Sequence, residues 1–490
     1  MSKINRLLIA NRGEIAVRII RTAKEMGITT ISIYSEVDKN SPHVYLADES
    51  YLVGDAPSSS SYLDMEKVLE VAKVSKADAI HPGYGFLSEN SLFAKKAVKR
   101  GFIFVGPTAE AIEIMGDKLS AKKAVSPFNV PLVPGTNHPV KDIEEAKTEG
   151  DRIGFPLMIK ASAGGGGKGM RIANNNKELE EMFPRAVNEA LKSFGNGDVF
   201  LEKYIMSPRH IEIQILSDSY GNFVHLHERD CSIQRRHQKV MEEAPSGLLT
   251  PEVRAAMGKA AINAGKSCDY VGAGTVEFIF DTSGAFYFLE MNTRLQVEHP
   301  VTECITGLDL VREQLRIANG EHLGYSQHEV GLRGHAIELR VYAEDCANDF
   351  APDTGTLAIY KRPQGPGVRI DDGIEEGMEV SIHYDPMIAK LIIMGETREI
   401  AIQRMIRAIE DYVIVGVETT LEFGKFVLNH PQFLDGDFNT HFVENHFRSN
   451  EARKGEYDQL AISLHGFSSK ESKYIKDSKK TISKWRSRFN

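Results

Sequence analysis

Cysteine is scarce in this chain: four in 490 residues, at Cys231, Cys268, Cys304 and Cys346. No two are spaced as a C-x-x-C pair, and a chain of this length does not need disulfide staples. The sequence therefore carries neither a thiol metal or redox motif nor a disulfide framework, and the cysteines are expected to be reduced packing residues. Long apolar runs are also missing. None reaches the roughly 18 residues that a membrane span requires. The apolar run at Leu7-Leu8-Ile9-Ala10 is too short for a signal peptide, so the expected compartment is the cytoplasm. Positive charge is in deficit, with 59 Lys+Arg against 68 Asp+Glu and a formal net charge of −9. Such a chain gains no sequence-independent attraction to a phosphate backbone, so nucleic acid is not an expected partner. The fingerprint G-x-G-x-x-G is absent from the first strand–helix turn, which argues against a dinucleotide there. What is present is an ordinary soluble composition, 42% hydrophobic and 26% charged. At roughly 100–200 residues per domain, the length predicts two to four domains.

Periodicity divides the chain. Leu7 to Ala10 reads as a buried strand and Asn11-Arg12-Gly13 as a turn. Ile15, Ile19, Ala23 and Met26 recur at helical spacing, and Gly27 supplies a left-handed cap. With a β-branched strand at Thr29 to Tyr34, this is a βαβ unit and predicts a doubly wound α/β domain over residues 1–117. Ala77 to Ile80 is a further strand, ending in His81-Pro-Gly-Tyr-Gly-Phe86, a position where open α/β sheets bind ligands. Residues 118–330 read as a largely antiparallel α+β domain. Its expected strands are Phe155 to Lys160, Asp198 to Tyr204, Ile211 to Leu216, Thr275 to Phe280 and Ala285 to Met291, with a helix at Leu308 to Asn319. A third α+β domain is expected over residues 331–447, with helices around Ile400 to Tyr412 and Leu421 to Leu428. The tail, 448–490, is polar. Between Glu451 and Asn490 it has ten Lys/Arg against five Asp/Glu and the only tryptophan, Trp485. Composition favours a weakly ordered extension over a helix that docks a partner.

Several stretches could carry chemistry. Ala161-Ser-Ala-Gly-Gly-Gly-Gly-Lys-Gly169 lets backbone N–H groups converge on an anion, and Lys160 beside it supports phosphate binding. It is not a Walker A loop, because Gly169 follows Lys168 and no helix follows. Glu290, Asn292 and Arg294 alternate on an extended segment. If Asp281 pairs with Phe286 across the turn Thr282-Ser-Gly-Ala285, Glu277 lies opposite Glu290. Opposed carboxylates repel unless a cation sits between them, and these oxygen donors suit magnesium on nucleotide phosphates. Arg235, His237 and Lys239 alternate as a basic stripe, which by itself is an ordinary basic loop. In Arg294-Leu-Gln-Val-Glu-His-Pro300, Glu298 is a candidate general base and Arg294 an anion clamp. His81, His210 and His299 have no metal-ligand spacing.

Taken in order, these motifs resemble one family. His81-Pro-Gly-Tyr-Gly-Phe-Leu-Ser-Glu-Asn90, the glycine loop, Glu228-Arg-Asp-Cys-Ser-Ile-Gln-Arg-Arg-His-Gln-Lys239 and Glu290-Met-Asn-Thr-Arg-Leu-Gln-Val-Glu-His-Pro-Val-Thr-Glu303 closely resemble the biotin carboxylase component of biotin-dependent carboxylases. That component is an ATP-grasp ligase, and the resemblance runs from about Lys3 to His446. It implies a Rossmann-like first domain, an ATP-grasp domain with a mobile lid over about 133–204, and a biotin carboxylase C-terminal domain. It also implies the reaction. ATP and bicarbonate form carboxyphosphate, and the carboxyl passes to a ureido nitrogen of biotin on a carrier, the first half-reaction of an acyl-CoA or pyruvate carboxylase. By the same resemblance ATP meets Lys118, Lys160, Gly166, Gly167, Glu202, Lys203, His210, Gln234, His237, Glu277 and Glu290. Magnesium, replaceable by manganese, falls to Glu277, Glu290 and Asn292. Bicarbonate falls to Lys239, Arg294 and Val297, proton abstraction to Glu298, and biotin to Arg340 and Tyr84.

Ala163 stands where the family usually has glycine, and Lys168 where it often has arginine; neither threatens function. No Ala-Met-Lys-Met biotinylation motif occurs, so the biotin carboxyl carrier protein and the carboxyltransferase are expected on other polypeptides. Arg362-Pro-Gln-Gly-Pro-Gly-Val-Arg369 is similar to pyruvate- and acyl-CoA-carboxylase relatives, and a homodimer through this neighbourhood and the first helix is implied. A carbamoyl-phosphate-type ligase would share the magnesium carboxylates, but the Arg294 to Glu298 stretch, the third domain and Arg340 argue against it. A non-catalytic nucleotide-binding regulator would have lost catalytic residues, and none is lost.

Overall fold

Leu7, Leu8 and Ile9 offer only apolar side chains, and the strand Arg6–Ile9 that holds them is the centre of a parallel sheet. The sheet has five strands in the order Glu49–Gly54, Thr29–Ser35, Arg6–Ile9, Ala79–His81 and Ile103–Phe104, every neighbouring pair parallel. A parallel neighbour needs a crossover. The helix Gly13–Glu25 supplies the first one and lays Ile15, Ile19 and Ala23 into the core. It ends as expected, with Gly27 at φ +73° in the left-handed region. This is the doubly wound α/β layer that the periodicity predicts. The structure, a computed structural model, describes residues 3–161, 170–281 and 283–448. The glycine tip with Gly166 and Gly167 and the basic tail with Trp485 lie outside these residues.

The middle of the chain is antiparallel, because its strands alternate apolar and polar residues and are joined by tight turns. The expected strands are all present, with ends shifted by up to three residues: Leu157–Ala161, Val199–Lys203, Arg209–Ser217, Gly272–Phe280 and Phe286–Asn292. Leu157–Ala161 lies between Met170–Ala173 and Val199–Lys203 in a small sheet of three strands. The helices Ile143–Ile153 and Asn176–Phe194 cover it, closing a separate apolar core around Leu157, Ile159, Leu179 and Leu201.

The large sheet has eight strands in the order Phe286–Asn292, Gly272–Phe280, Arg209–Ser217, Phe223–Arg235, Gln238–Ala244, His335–Tyr342, Met387–Gly395 and Val368–Asp372. The last three come from the stretch expected as a third α+β unit, yet they hydrogen-bond directly onto the strands before them. Met241 pairs with Leu339 and Glu242 with Glu338. No periodicity marks that continuity, because each strand alone looks like any other. The helix Arg398–Asp411 and the helix Leu421–Asn429 pack behind, burying Met405, Phe423 and Val427 with Leu339 and Ile393.

Arg235, His237 and Lys239, whose stretch alone reads as an ordinary basic loop, span a hairpin turn and do not run along one strand. Arg235 pairs with Gln238, so Arg236 and His237 are the two residues of a hairpin turn, with φ +50° and +67°. Positive φ at both central residues is the turn that matches strand twist. It sends Arg235 to Glu344 and Lys239 into the interior.

Candidate active site

The strand Gly272–Phe280 alternates, so Val276, Phe278 and Phe280 enter the core while Glu277 faces the other way. Its partner strand places Glu290 directly opposite Glu277, as expected, but by a different route. The turn pairs Phe280, not Asp281, with Phe286, and a bulge between Glu277 and Phe278 takes up the extra residue. Without that bulge the two carboxylates would miss each other by one position.

Across the sheet face the strands converge on one ammonium. Lys239 Nζ donates to Glu212 at 2.5 Å, to Glu298 at 2.8 Å and to Glu277 at 2.9 Å. Burial opposes its charge, but the three carboxylates hold its pKa well above the ordinary lysine value. Glu298 is also gripped from the other side, where Arg340 donates to its Oε2 at 2.9 Å. Burial alone would raise the Glu298 carboxyl; Lys239 and Arg340 hold it below the usual range, so it is ionised and able to accept a proton. Arg340 Nε meanwhile donates to Glu242 at 2.7 Å. Asn292 and Gln296 both donate to Glu277, at 2.8 and 2.9 Å. Arg294 is held between Glu89 at 2.9 Å and the Asn292 side-chain oxygen at 3.0 Å, so its charge faces the cleft.

Glu290 is short of positive charge. Burial raises its carboxyl and Glu277 raises it further, with only a partial offset from Lys118, His210 and Lys239. A divalent cation would remove that repulsion, and the Glu277, Glu290 and Asn292 oxygens are the hard donors that magnesium takes. His210 stands 2.9 Å from Glu277; burial opposes its charge, but Glu277 lifts its pKa to about 9.

These groups line a cleft of about 510 Å³ that includes Lys118, Lys160, Glu202, His210, Gln234, His237, Lys239, Glu277, Glu290, Asn292, Arg294, Val297, Glu298 and Arg340. An adjoining cavity of about 790 Å³ shares several of them and is more apolar, walled by Met158, Tyr204, Ile205, Phe350, Val443 and Phe447. Lys203 lines only this second cavity, and its ammonium is occupied by the carbonyl oxygens of Gly154 and Phe155. Tyr84 is not among the residues that line this cleft. It packs against the first domain's core, its hydroxyl buried without a hydrogen-bond partner. Lys390, whose Nζ is 6.0 Å from the Tyr84 ring centre, donates to the Val297 carbonyl at 2.9 Å.

Several residues without a motif of their own are integral to the site. Lys122 and Lys160 both bond Glu202, which is only 3% exposed. Lys122 stands one helical turn from Lys118, a signal available in the sequence. So was the strict alternation His210-Ile-Glu-Ile-Gln-Ile215, which puts His210, Glu212 and Gln214 on one face. Arg229 had no such signal. It is fully buried, and its guanidinium ties together Glu212, Gln214, Thr275, Gln296 and Thr302 from four segments. The wall from Thr440 to Phe447 is also supplied from far along the chain.

By sequence, residues 3–112 match the family described as biotin carboxylase, N-terminal domain. Residues 117–326 match the carbamoyl-phosphate synthase L chain, ATP binding domain, and residues 338–445 match the biotin carboxylase C-terminal domain. A biotin carboxylase from a Nostoc species is 51% identical over 442 residues, 90% of this chain and 99% of its own. A pyruvate carboxylase subunit of Methanothermobacter thermautotrophicus is 48% identical over 448 residues, 91% of each chain. Among solved structures, the biotin carboxylase domain dimer of Hydrogenobacter thermophilus 2-oxoglutarate carboxylase was determined with MgADP, ADP and bicarbonate. It superposes with a TM-score of 0.86 at 48% identity, covering 93% of this chain and 100% of that one.

Proposed function

The chain belongs to the biotin carboxylase family, an ATP-dependent ligase of the ATP-grasp type, and on that premise we propose how its residues divide the reaction. The single observation that carries the reading is Glu298, buried and ionised between Lys239 and Arg340 on the floor of a cleft whose walls hold Lys118, Lys160 and the opposed Glu277 and Glu290.

Bicarbonate binds against Lys239 and Arg294, with the Val297 backbone beside it. Glu298 takes its proton, and the resulting nucleophile attacks the γ-phosphorus of ATP to give carboxyphosphate and ADP. Lys118 and Lys160 meet the phosphates, with Gly166 and Gly167 above them. Glu277, Glu290 and Asn292 hold magnesium, which when bound neutralises phosphate charge and orients the transferred group. The apolar cavity beside Glu202, Lys203, His210, Gln234 and His237 takes the nucleoside, with Lys203 acting through the backbone it braces. The carboxyl group of carboxyphosphate passes to the biotin ureido nitrogen, the phosphate it releases takes that nitrogen's proton, and Arg340 stabilises the negative charge on the ureido oxygen in between. The working boundaries are 1–117, 118–330 with its lid at 133–204, 331–447 and the tail. Biotin arrives on a separate carrier protein and leaves to a separate carboxyltransferase, and the chain works as a homodimer in the cytoplasm. Among the described residues no helix is long and apolar enough to cross a membrane.

The test is ATP cleavage by the purified chain with magnesium, bicarbonate and free biotin. Cleavage should require bicarbonate and rise on adding biotin. Bicarbonate-independent cleavage, or stimulation by ammonia rather than biotin, would sink the reading.

A further inference from the structure

Behind Arg340 lies a pair of acids that the reaction described above does not use. Glu242 and Glu338 are directly opposed on the neighbouring strands Gln238–Ala244 and His335–Tyr342. Both are 0% exposed. Opposed side chains on antiparallel strands have Cβ atoms about 4.5–5.5 Å apart, so the two acids share one face of the sheet within reach of each other, and the Glu242 charge acts on the Glu338 carboxyl. Glu242 Oε1 accepts the 2.7 Å hydrogen bond from Arg340. Its Oε2 and both oxygens of Glu338 receive no hydrogen bond from any described donor. Two ionised carboxylates placed so would repel and leave three buried acceptors unpaired. One proton held between them removes the repulsion and supplies a hydrogen bond.

Among the described residues no group donates a hydrogen bond to these three oxygens. The charged groups facing the pair are Arg340 on Glu338's own strand, Lys390 on the next strand, Glu298 from the loop above, and Lys239 and Glu212 beyond Glu242. Lys390 is drawn elsewhere, to the Val297 carbonyl at 2.9 Å and to Glu14 at 3.2 Å. His299, at the start of the helix above, has its pKa held well below the ordinary value, first by burial and then by Lys390. On the far side the packing is formed by Ala244, Val301, Ile305, Ala336 and Ile392, with the Cys304 thiol, pushed up to about 12 by burial, against them. Burial, the largest influence on both, lifts the Glu242 carboxyl to about 7 and the Glu338 carboxyl well above its ordinary value.

We propose that Glu338 is a neutral carboxylic acid whose hydroxyl donates to Glu242, and that the pair is a positioning device for Arg340. The proton keeps Glu242 anionic and turned onto the Arg340 Nε, which aims the rest of the guanidinium at Glu298 and the open cleft. An ionised Glu338 would compete with Glu242 for Arg340 and loosen that aim. Neither acid touches a reacting atom. The inference rests on the roles given above to Arg340 and Glu298.

Two variants separate a neutral acid from an ion. Glu338→Gln keeps a neutral donor of the same shape, and Glu338→Leu removes the donor. Free-biotin carboxylation by Glu338→Gln should stay within about twofold of the parent at neutral pH, whereas Glu338→Leu should lose about tenfold or more in kcat with the KM for ATP unchanged, since small misplacements of a positioned group are costly. The parent rate should fall at alkaline pH as the shared proton is lost, and Glu338→Gln should lack that fall. In infrared difference spectra at pH 7, parent minus Glu338→Gln should contain the C=O stretch of a protonated carboxylic acid, a readout that needs no activity. Loss of activity in Glu338→Gln, parental activity in Glu338→Leu, or absence of the acid band would overturn the proposal. Arg340→Ala distinguishes the levels. If it retains biotin carboxylation, the assigned role of Arg340 is wrong; if it loses activity while Glu338→Leu does not, only the paired acid is wrong.

Discussion

A carboxylate that takes a proton from a weak acid must first be kept ionised, and in Glu298 burial works against that while Lys239 and Arg340 restore it. Glu298→Gln preserves shape and loses the base. Bicarbonate-dependent ATP turnover is expected to fall by about 10²–10⁴-fold, the usual contribution of a positioned general base. Nucleotide affinity should hold, because the phosphate and nucleoside contacts lie elsewhere; turnover within a few-fold of the parent would give the role to another residue. Glu243, one position along from Glu242, faces the opposite side of its strand and serves stability. Burial pushes its carboxyl up, but His335 and Arg398 outweigh burial and bring it to about 2. A depressed folded-state pKa stabilises the fold above the unfolded value of about 4.3 and loses that contribution as pH falls toward 2. Glu243→Gln should therefore unfold at lower denaturant than the parent at pH 7, by about 3 kcal/mol at most. The gap should narrow steadily below about pH 4.5. A gap that is flat from pH 7 to 3.5 would show that Glu243 is not held ionised by its partners.

Among the elements, the most exacting contact joins the first helix to the last part of the chain. A Cβ on Gly373 would lie 2.4 Å from the Gly13 carbonyl carbon and 2.5 Å from the Glu14 nitrogen, both backbone atoms that cannot rotate aside. Gly373→Ala must then push the start of Gly13–Glu25 away from the segment that follows Val368–Asp372. The expected cost is about 1–3 kcal/mol, the range for overpacking. Calorimetry should show a lower unfolding temperature, and parental stability would mean that the two backbones are not in that contact. The segment that begins with Gly13 also carries Glu14 and Arg18. Arg18 bonds Glu303 and Asp309, at 2.7 and 2.8 Å. Glu303 accepts Arg369 at 2.8 Å, so one chain of ion pairs ties the parallel sheet's first crossover to the edge of the eight-stranded sheet. The helical spacing of Ile15, Ile19 and Ala23 was legible as a buried face, but nothing in the sequence said which surface the polar face of the same helix would meet.

For the whole molecule, the family match ends at residue 445, ahead of the basic tail, so free-biotin carboxylation should survive truncation after Arg448. Net positive charge on an acidic chain, together with Trp485, makes the tail our candidate for docking the carrier protein or the carboxyltransferase. Truncation should abolish co-purification with those partners, and the intact chain should lose them in moderate salt; normal assembly of the truncated chain would reduce the tail to a solvated extension. The sequence by itself determined a good deal. Periodicity set the αβ layer at the start and the antiparallel strands after it, and alternation turned Glu277 away from the face of Val276 and Phe278, because side-chain direction along a strand depends only on local backbone geometry, while the bulge that brings Glu290 opposite it belongs to the structure. The order of the long motifs identified the family. The tertiary structure alone decided what those residues touch. It set Lys239 among Glu212, Glu277 and Glu298, used Arg229 to bind four segments together, and carried the sheet on into His335–Tyr342 so that Arg340 and the acids behind it stand beside Glu298. It also put Lys390 behind Val297. These are contacts between residues tens to hundreds of positions apart, and the energy that selects them is burial and charge compensation across strands, which has no period for a sequence to display.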